Sequence, residues 1–205
     1  MRKMVIGGVA GPLIFAVVIT VCRALRSDYS HLHQFISELG ATGTPFAPFM
    51  NYAGFVAAGL SLTAFGVALL RMMPRQRATV IGSVLTIFFG LGVAASGLIS
   101  CDPGCPQVGG STENFIHDKI APIAFICLIL ATWILGAAFR RLPEWRSFSL
   151  YSFATGVVAL GFLIALVGTL ESRVLTGLWQ RLLLVALFLW TSIIGIRASF
   201  LARAV

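Results

Sequence analysis

Six long apolar stretches run through this chain and leave almost nothing else to fold. Read as spans, they are residues 4–22, 46–70, 78–100, 120–139, 148–170 and 178–196. Most reach the ~20 residues that cross ~30 Å of hydrocarbon as a helix. The chain is 58% hydrophobic and 11% charged, with mean hydropathy +0.95, whereas a soluble domain is about a quarter charged. Backbone groups in lipid must be paired within the structure, and these unbroken runs lack the alternation of a membrane barrel. The expected fold is therefore all-α: one polytopic bundle of six transmembrane helices, with residues 1–205 forming a single domain.

The last span is short. Only 15 uncharged residues separate Arg181 from Arg197, a helical rise of ~22 Å. One of these arginines must snorkel or sit inside the bundle.

Lys and Arg in the loops set the orientation. Arg2, Lys3, Arg71, Arg75, Arg77, Arg140, Arg141, Arg146, Arg197 and Arg203 fall on one side; Arg23, Arg26, Lys119, Arg173 and Arg181 fall on the other. The richer side is expected to be cytoplasmic, with both termini there. The net charge of +8 is then mostly an inner-face feature. It points to anionic lipid rather than nucleic acid. Arg2-Lys3 followed by an apolar run resembles a signal sequence, but Cys22-Arg23-Ala24 is a poor cleavage site. The segment reads as a retained anchor helix.

Six of the seven carboxylates and all three histidines gather in the outer loops. Polar groups beside lipid are costly, so such a gathering marks a site. In the first loop, Leu32, Phe35, Ile36 and Leu39 follow helical spacing, which predicts a short amphipathic helix over 28–39. Its polar side would carry His31, Gln34 and Glu38. In the second loop, Pro103-Gly104 forms a tight turn between Cys101 and Cys105. Ser111 or Thr112 then caps the fourth helix, with His117 about one turn inside it.

These motifs are familiar together. Ser30-His31-Leu32-x-x-Phe35-Ile36-Ser37-Glu38-Leu39-Gly40-Ala41, with Pro45 and Asn51, resembles the first signature of DUF998, a family of mostly bacterial six-helix membrane proteins. Cys101-Asp102-Pro103-Gly104-Cys105-Pro106 followed by His117 resembles its second signature, and Gly177-x-x-Gln180-Arg181 with Trp190 its third. The first motif is also distantly similar to the Frag1/DRAM/Sfk1 membrane proteins, several of which are linked to lipid or GPI-anchor handling. The resemblance implies a six-helix architecture, a bacterial inner (plasma) membrane location and candidate positions. It implies no particular reaction.

Each candidate residue has a structural and a chemical reading. Cys101 and Cys105 are read first as a disulfide; a metal pair or a redox pair are the other readings. Asp102 either caps the Asp-Pro-Gly turn or serves as ligand or general base. His31, Glu38, Asp102 and His117 either hydrogen-bond at the bundle mouth or form a divalent metal site, zinc being the first choice. In the second case Asp102, Glu38 and His117 carry the catalysis and metal-bound water attacks an ester or amide. Arg181 either snorkels or clamps a lipid phosphate, and Asn51 is its partner in substrate binding.

The expected function is binding of, or action on, a lipid or lipid-linked substrate at the extracytoplasmic face, as a metal-assisted hydrolase or transferase. A non-catalytic lipid-binding or scaffold protein is the alternative, and membrane lipids are the expected partners. A transporter is the third choice, since the middles of the spans are nearly free of ionisable groups.

Overall fold

The computed structural model describes residues 2–202; Arg203 and the side chain of Arg2 lie outside that description. Six helices are long and apolar enough to cross a membrane: α1 (Lys3–Ala24), α2 (Phe49–Met72), α3 (Arg77–Leu98), α4 (Thr112–Phe139), α5 (Pro143–Gly168) and α6 (Thr176–Leu201). Each packs chiefly on its chain neighbour, and α6 closes back onto α1. The result is a ring of helices with the polar loops 25–48, 99–111 and 169–175 together over one end. Large apolar side chains such as Leu13, Val17, Ile164 and Val167 remain exposed on the outside of the ring. A lipid-embedded surface has this character.

Small residues set how close the helices come. A β-carbon on Gly59 of α2 would sit 2.6 Å from the Gly90 carbonyl oxygen of α3, and one on Gly90 would sit 2.8 Å from that of Gly59. Apolar side chains gain little by leaving lipid tails for each other, so such close backbone contact is what holds neighbouring spans together. Trp190 is wholly buried and donates from Nε1 to Ser152 Oγ at 2.9 Å, tying α6 to α5.

The first loop departs from the expected helix over 28–39. Only Ile36–Leu39 is helical, as a single 3-10 turn. Side chains provide what helical bonds would have provided. Gln34 Oε1 accepts the Ser30 N–H at 2.7 Å, and Glu38 Oε1 accepts the Phe35 N–H at 2.9 Å. Such local side-chain bonds compete with helix formation. The apolar stripe is nevertheless mostly buried: Phe35, Ile36 and Leu39 face the bundle while Leu32 stays exposed.

The entry into α2 is a π-helix over Phe49–Val56. Asn51 lies within it and donates from Nδ2 to the Gly40 carbonyl at 2.9 Å and to Ser100 Oγ at 3.0 Å. The wider turn thus carries an amide that bridges the first loop to the end of α3. Widened turns often occur where a helix is adapted to a particular contact.

Candidate functional site

The loop end is a cap built largely from hydrogen bonds to backbone. The start of α6 holds the first loop in three ways. Leu178 N–H donates to the Leu32 carbonyl at 3.0 Å, and Gln180 Oε1 accepts the Ile36 N–H at 2.8 Å. Arg181 Nη1 donates to the His31 carbonyl at 2.7 Å, with further bonds to the Gln34 and Gly177 carbonyls, and Nη2 donates to the Tyr29 hydroxyl. Gly177 permits this approach, since a β-carbon there would lie 2.6 Å from the His31 carbonyl oxygen. The Gly177-x-x-Gln180-Arg181 motif is therefore a clamp on the first loop. Both terminal nitrogens of Arg181 are engaged by the protein.

Arg173, in the loop before α6, joins all three loops. Its Nη1 lies 3.6 Å from Glu38 Oε1. Its Nη2 donates to the Cys105 carbonyl at 2.6 Å and the Gly104 carbonyl at 3.1 Å. Its guanidinium sits 4.6 Å from the Phe35 ring centroid. The residue adopts a left-handed backbone, φ 56°, which a β-carbon disfavours. In the sequence Arg173 stands out only as a topological charge. The acceptors it satisfies are backbone carbonyls, which leave no mark in the sequence.

Cys101 and Cys105 form the expected disulfide, fully buried beneath the first loop. The Ser37 hydroxyl lies 3.4 Å from Cys105 Sγ, and Thr42 N–H donates to the Cys101 carbonyl at 2.9 Å.

The candidate ligands are placed apart in role. Glu38 is buried; besides Phe35 N–H it accepts Gln34 Nε2 at 2.8 Å, so both carboxylate oxygens are engaged. Asp102 accepts the Ser111 N–H at 2.6 Å and the Ser111 hydroxyl at 2.9 Å, anchoring the start of α4. Ser111 in turn caps that helix through Asn114 N–H at 3.1 Å. His31 is exposed, with its ring edge-on to Tyr29. Partial burial, then the nearby Arg181 and Arg23 charges, hold its imidazole below the ordinary histidine range. His33, exposed as well, accepts the Leu175 N–H through Nδ1 at 3.3 Å. Among the described residues, no three His, Cys, Asp or Glu side chains form a group able to hold a metal ion. The expected set of His31, Glu38, Asp102 and His117 is thus not gathered at one point.

His117 is different. It is buried, and its Nδ1 lies 2.6 Å from the Ile99 carbonyl oxygen. A carbonyl only accepts, so Nδ1 carries a proton and Nε2 is the nitrogen left for a ligand. The ring lines two adjoining cavities. The outer one, about 100 Å³, lies between α4 and α5 under the loops, and its wall includes Ser37, Gln107, Asp118, Pro122, Leu166 and Gln180. The inner one, about 40 Å³, lies within the ring of helices among Phe15, Phe55, Val93, Phe125, Leu184 and Phe188. Ser37, His117, Ala121, Phe125 and Gln180 border both, forming a neck between them. Phe15 stacks edge-on with Phe55 and Phe188 at 5.1 and 5.7 Å, giving the inner space an aromatic wall. Asn51 lines neither cavity.

Six membrane-crossing helices, a disulfide-bonded cap and a part-polar cavity beneath it define a polytopic α-helical membrane protein. The chain belongs to the family described as "Protein of unknown function (DUF998)", whose model matches residues 9–197. No curated protein and no solved structure matches it.

Proposed function

We propose that this protein binds an amphiphile, a lipid or lipid-linked molecule, with its polar head at the Ser37–His117–Gln180 neck and its chain along the apolar cavity walls. The observation that carries the reading is the cavity pair itself. The shared neck offers hydroxyl, imidazole and amide groups, with the Asp118 carboxylate on the outer side, while the inner cavity beyond the neck is walled by Phe15, Ile36, Phe55, Val93, Ala124, Leu184 and Phe188, with Ser96 its one further hydroxyl. The outer cavity reaches the lipid-facing side at Val167, which is 56% exposed, so a chain can enter from the bilayer. A chain moving from lipid tails into an apolar cavity changes its surroundings little. Affinity and selectivity then come from the polar neck. The basic loops at the opposite end support placing this neck at the extracytoplasmic leaflet.

In this reading Arg181, Arg173, Glu38, Asp102 and Asn51 position the cap, and His117, Gln180, Ser37 and Asp118 meet the ligand. A second, catalytic reading is favoured by the orientation of His117. An imidazole held through Nδ1 presents Nε2 as an acceptor for a hydroxyl proton, the posture of a general base in acyl or group transfer.

The test is native mass spectrometry of protein extracted in mild detergent, wild type beside Ala121→Trp, which fills the neck. The wild type retains one bound amphiphile and the variant loses it. Equal occupancy in both, or none in the wild type, overturns the proposal. Chemical conversion of the retained molecule by wild type and not by His117→Gln would establish the catalytic reading.

A further inference from the structure

Resting on the amphiphile-binding reading, the charge pattern of the cavity constrains the head it takes. We infer that the ligand has a head that donates hydrogen bonds and bears no negative charge, a hydroxyl or an ammonium, and that phosphate and carboxylate heads are excluded.

Among the described residues no Lys or Arg lines either cavity, whereas Asp118 lines the outer one. Asp118 is half-buried and accepts a long hydrogen bond from Asn114 Nδ2 at 3.4 Å. No cation is paired with it among the described residues. The neighbouring cations are held elsewhere. The Lys119 ammonium stands 5.3 Å from the Phe115 ring centroid. Arg173 is bound to the Gly104 and Cys105 carbonyls and faces Glu38. Arg181 is bound to carbonyls of the first loop and to Tyr29. An anionic head would therefore meet the Asp118 carboxylate with no Lys or Arg among the described residues lining the cavity to pair with it. The His117, Lys119 and Arg173 charges act on Asp118 from beyond ion-pair distance, and like charges brought together in a confined site are disfavoured.

The neutral groups of the neck match a hydroxyl on both sides. His117 Nε2 accepts its proton. Gln180 Oε1 is occupied by Ile36 N–H, which leaves the Nε2 amide to donate to the hydroxyl oxygen. An ammonium head would instead be held by Asp118. Both heads share N–H or O–H donation, and the probes below separate them.

The experiment uses the full chain in lipid nanodiscs and three photoactivatable probes with the same dodecyl chain: an alcohol, an ammonium and a phosphate. Labelling of residues 121–125 and 163–170 is mapped by peptide mass spectrometry. It is normalised to labelling at the lipid-facing Leu13 and Val17, which corrects for partition into the bilayer. The alcohol or the ammonium labels the cavity wall at least about tenfold more than the phosphate. Where ammonium is the preferred head, Asp118→Asn lowers ammonium labelling about tenfold relative to alcohol labelling of the same variant. Phosphate labelling equal to or above the other two overturns the inference and leaves amphiphile binding standing. Absence of cavity-wall labelling by all three overturns both. The comparison among probes on the wild type decides the matter even if the variant fails to fold.

Discussion

His117 Nδ1 lies 2.6 Å from the carbonyl oxygen of Ile99, the residue that caps α3. The last carbonyls of a helix have no partner within it. The imidazole of α4 supplies one and, in doing so, is fixed in orientation. In the proposed reading, structure and ligand binding therefore meet on a single ring. In ¹⁵N NMR of ring-labelled protein, the neutral His117 imidazole shows its proton on Nδ1. His117→Phe removes the bond and destabilises the fold by about 1–3 kcal/mol, read as a lowered midpoint of thermal unfolding in detergent.

Arg173 holds the cap by planar geometry as much as by charge, bridging two carbonyls, facing Glu38 and stacking on Phe35. Arg173→Ala is expected to cost roughly 2 kcal/mol, since hydrogen bonds to charged groups contribute about 1.5–3 kcal/mol. Arg173→Lys keeps the charge but loses the fork. It should recover less than half of the lost stability; full recovery by lysine would show that charge alone matters.

The Cys101–Cys105 bridge closes a short loop, with a sequence separation of 4. Loop-closure entropy for so few residues gives a stabilisation of ~2 kcal/mol. Reduction, or the paired Cys101→Ser and Cys105→Ser change, lowers the unfolding midpoint accordingly. Gel-shift thiol counting on the native protein finds only Cys22 and Cys127 free.

The exposed His31 titrates below the ordinary histidine range because of partial burial and then the Arg181 and Arg23 charges. The unfolded chain, with a histidine near pKa ~6.5, takes up the proton first as pH falls. The contribution of His31 is thus complete above ~6.5 and is lost as pH drops through the lower folded value. Between about pH 7.5 and pH 5, His31→Asn should lose less stability than the wild type. An identical acid slope in the two proteins would contradict this assignment.

Gly90→Leu should abolish folded monomer in size-exclusion chromatography, because its β-carbon meets the backbone of α2. Gly161→Leu is the matched control, since open space surrounds that position. Equal yields of the two would show that the α2–α3 contact is looser than described.

The spans were legible because hydropathy over some twenty residues is a coarse, cumulative signal. The Ser111 cap and the disulfide were legible because their chemistry is local. Residues 28–39 have the apolar spacing of a helix without forming one, because Gln34 and Glu38 accept the Ser30 and Phe35 N–H groups of the same loop. In the sequence Arg181 is a charge near lipid, yet its partners are carbonyls of the first loop. In the sequence Gln180 stands only as part of a motif. Its place at the neck depends on how α6 meets that loop, a relation between residues 144 positions apart. Side-chain identity suggested which groups could react; only the packing showed which ones are occupied by backbone.

The most direct test of the account is a cryo-EM map of the protein in nanodiscs made from native lipid. Amphiphile binding predicts elongated density that begins between His117, Ser37 and Gln180, fills the outer cavity toward Leu166 and Val167, and extends toward Phe15 and Phe188. Cavities closed by repacked side chains, or density lying only on the outer lipid-facing surface, would contradict it.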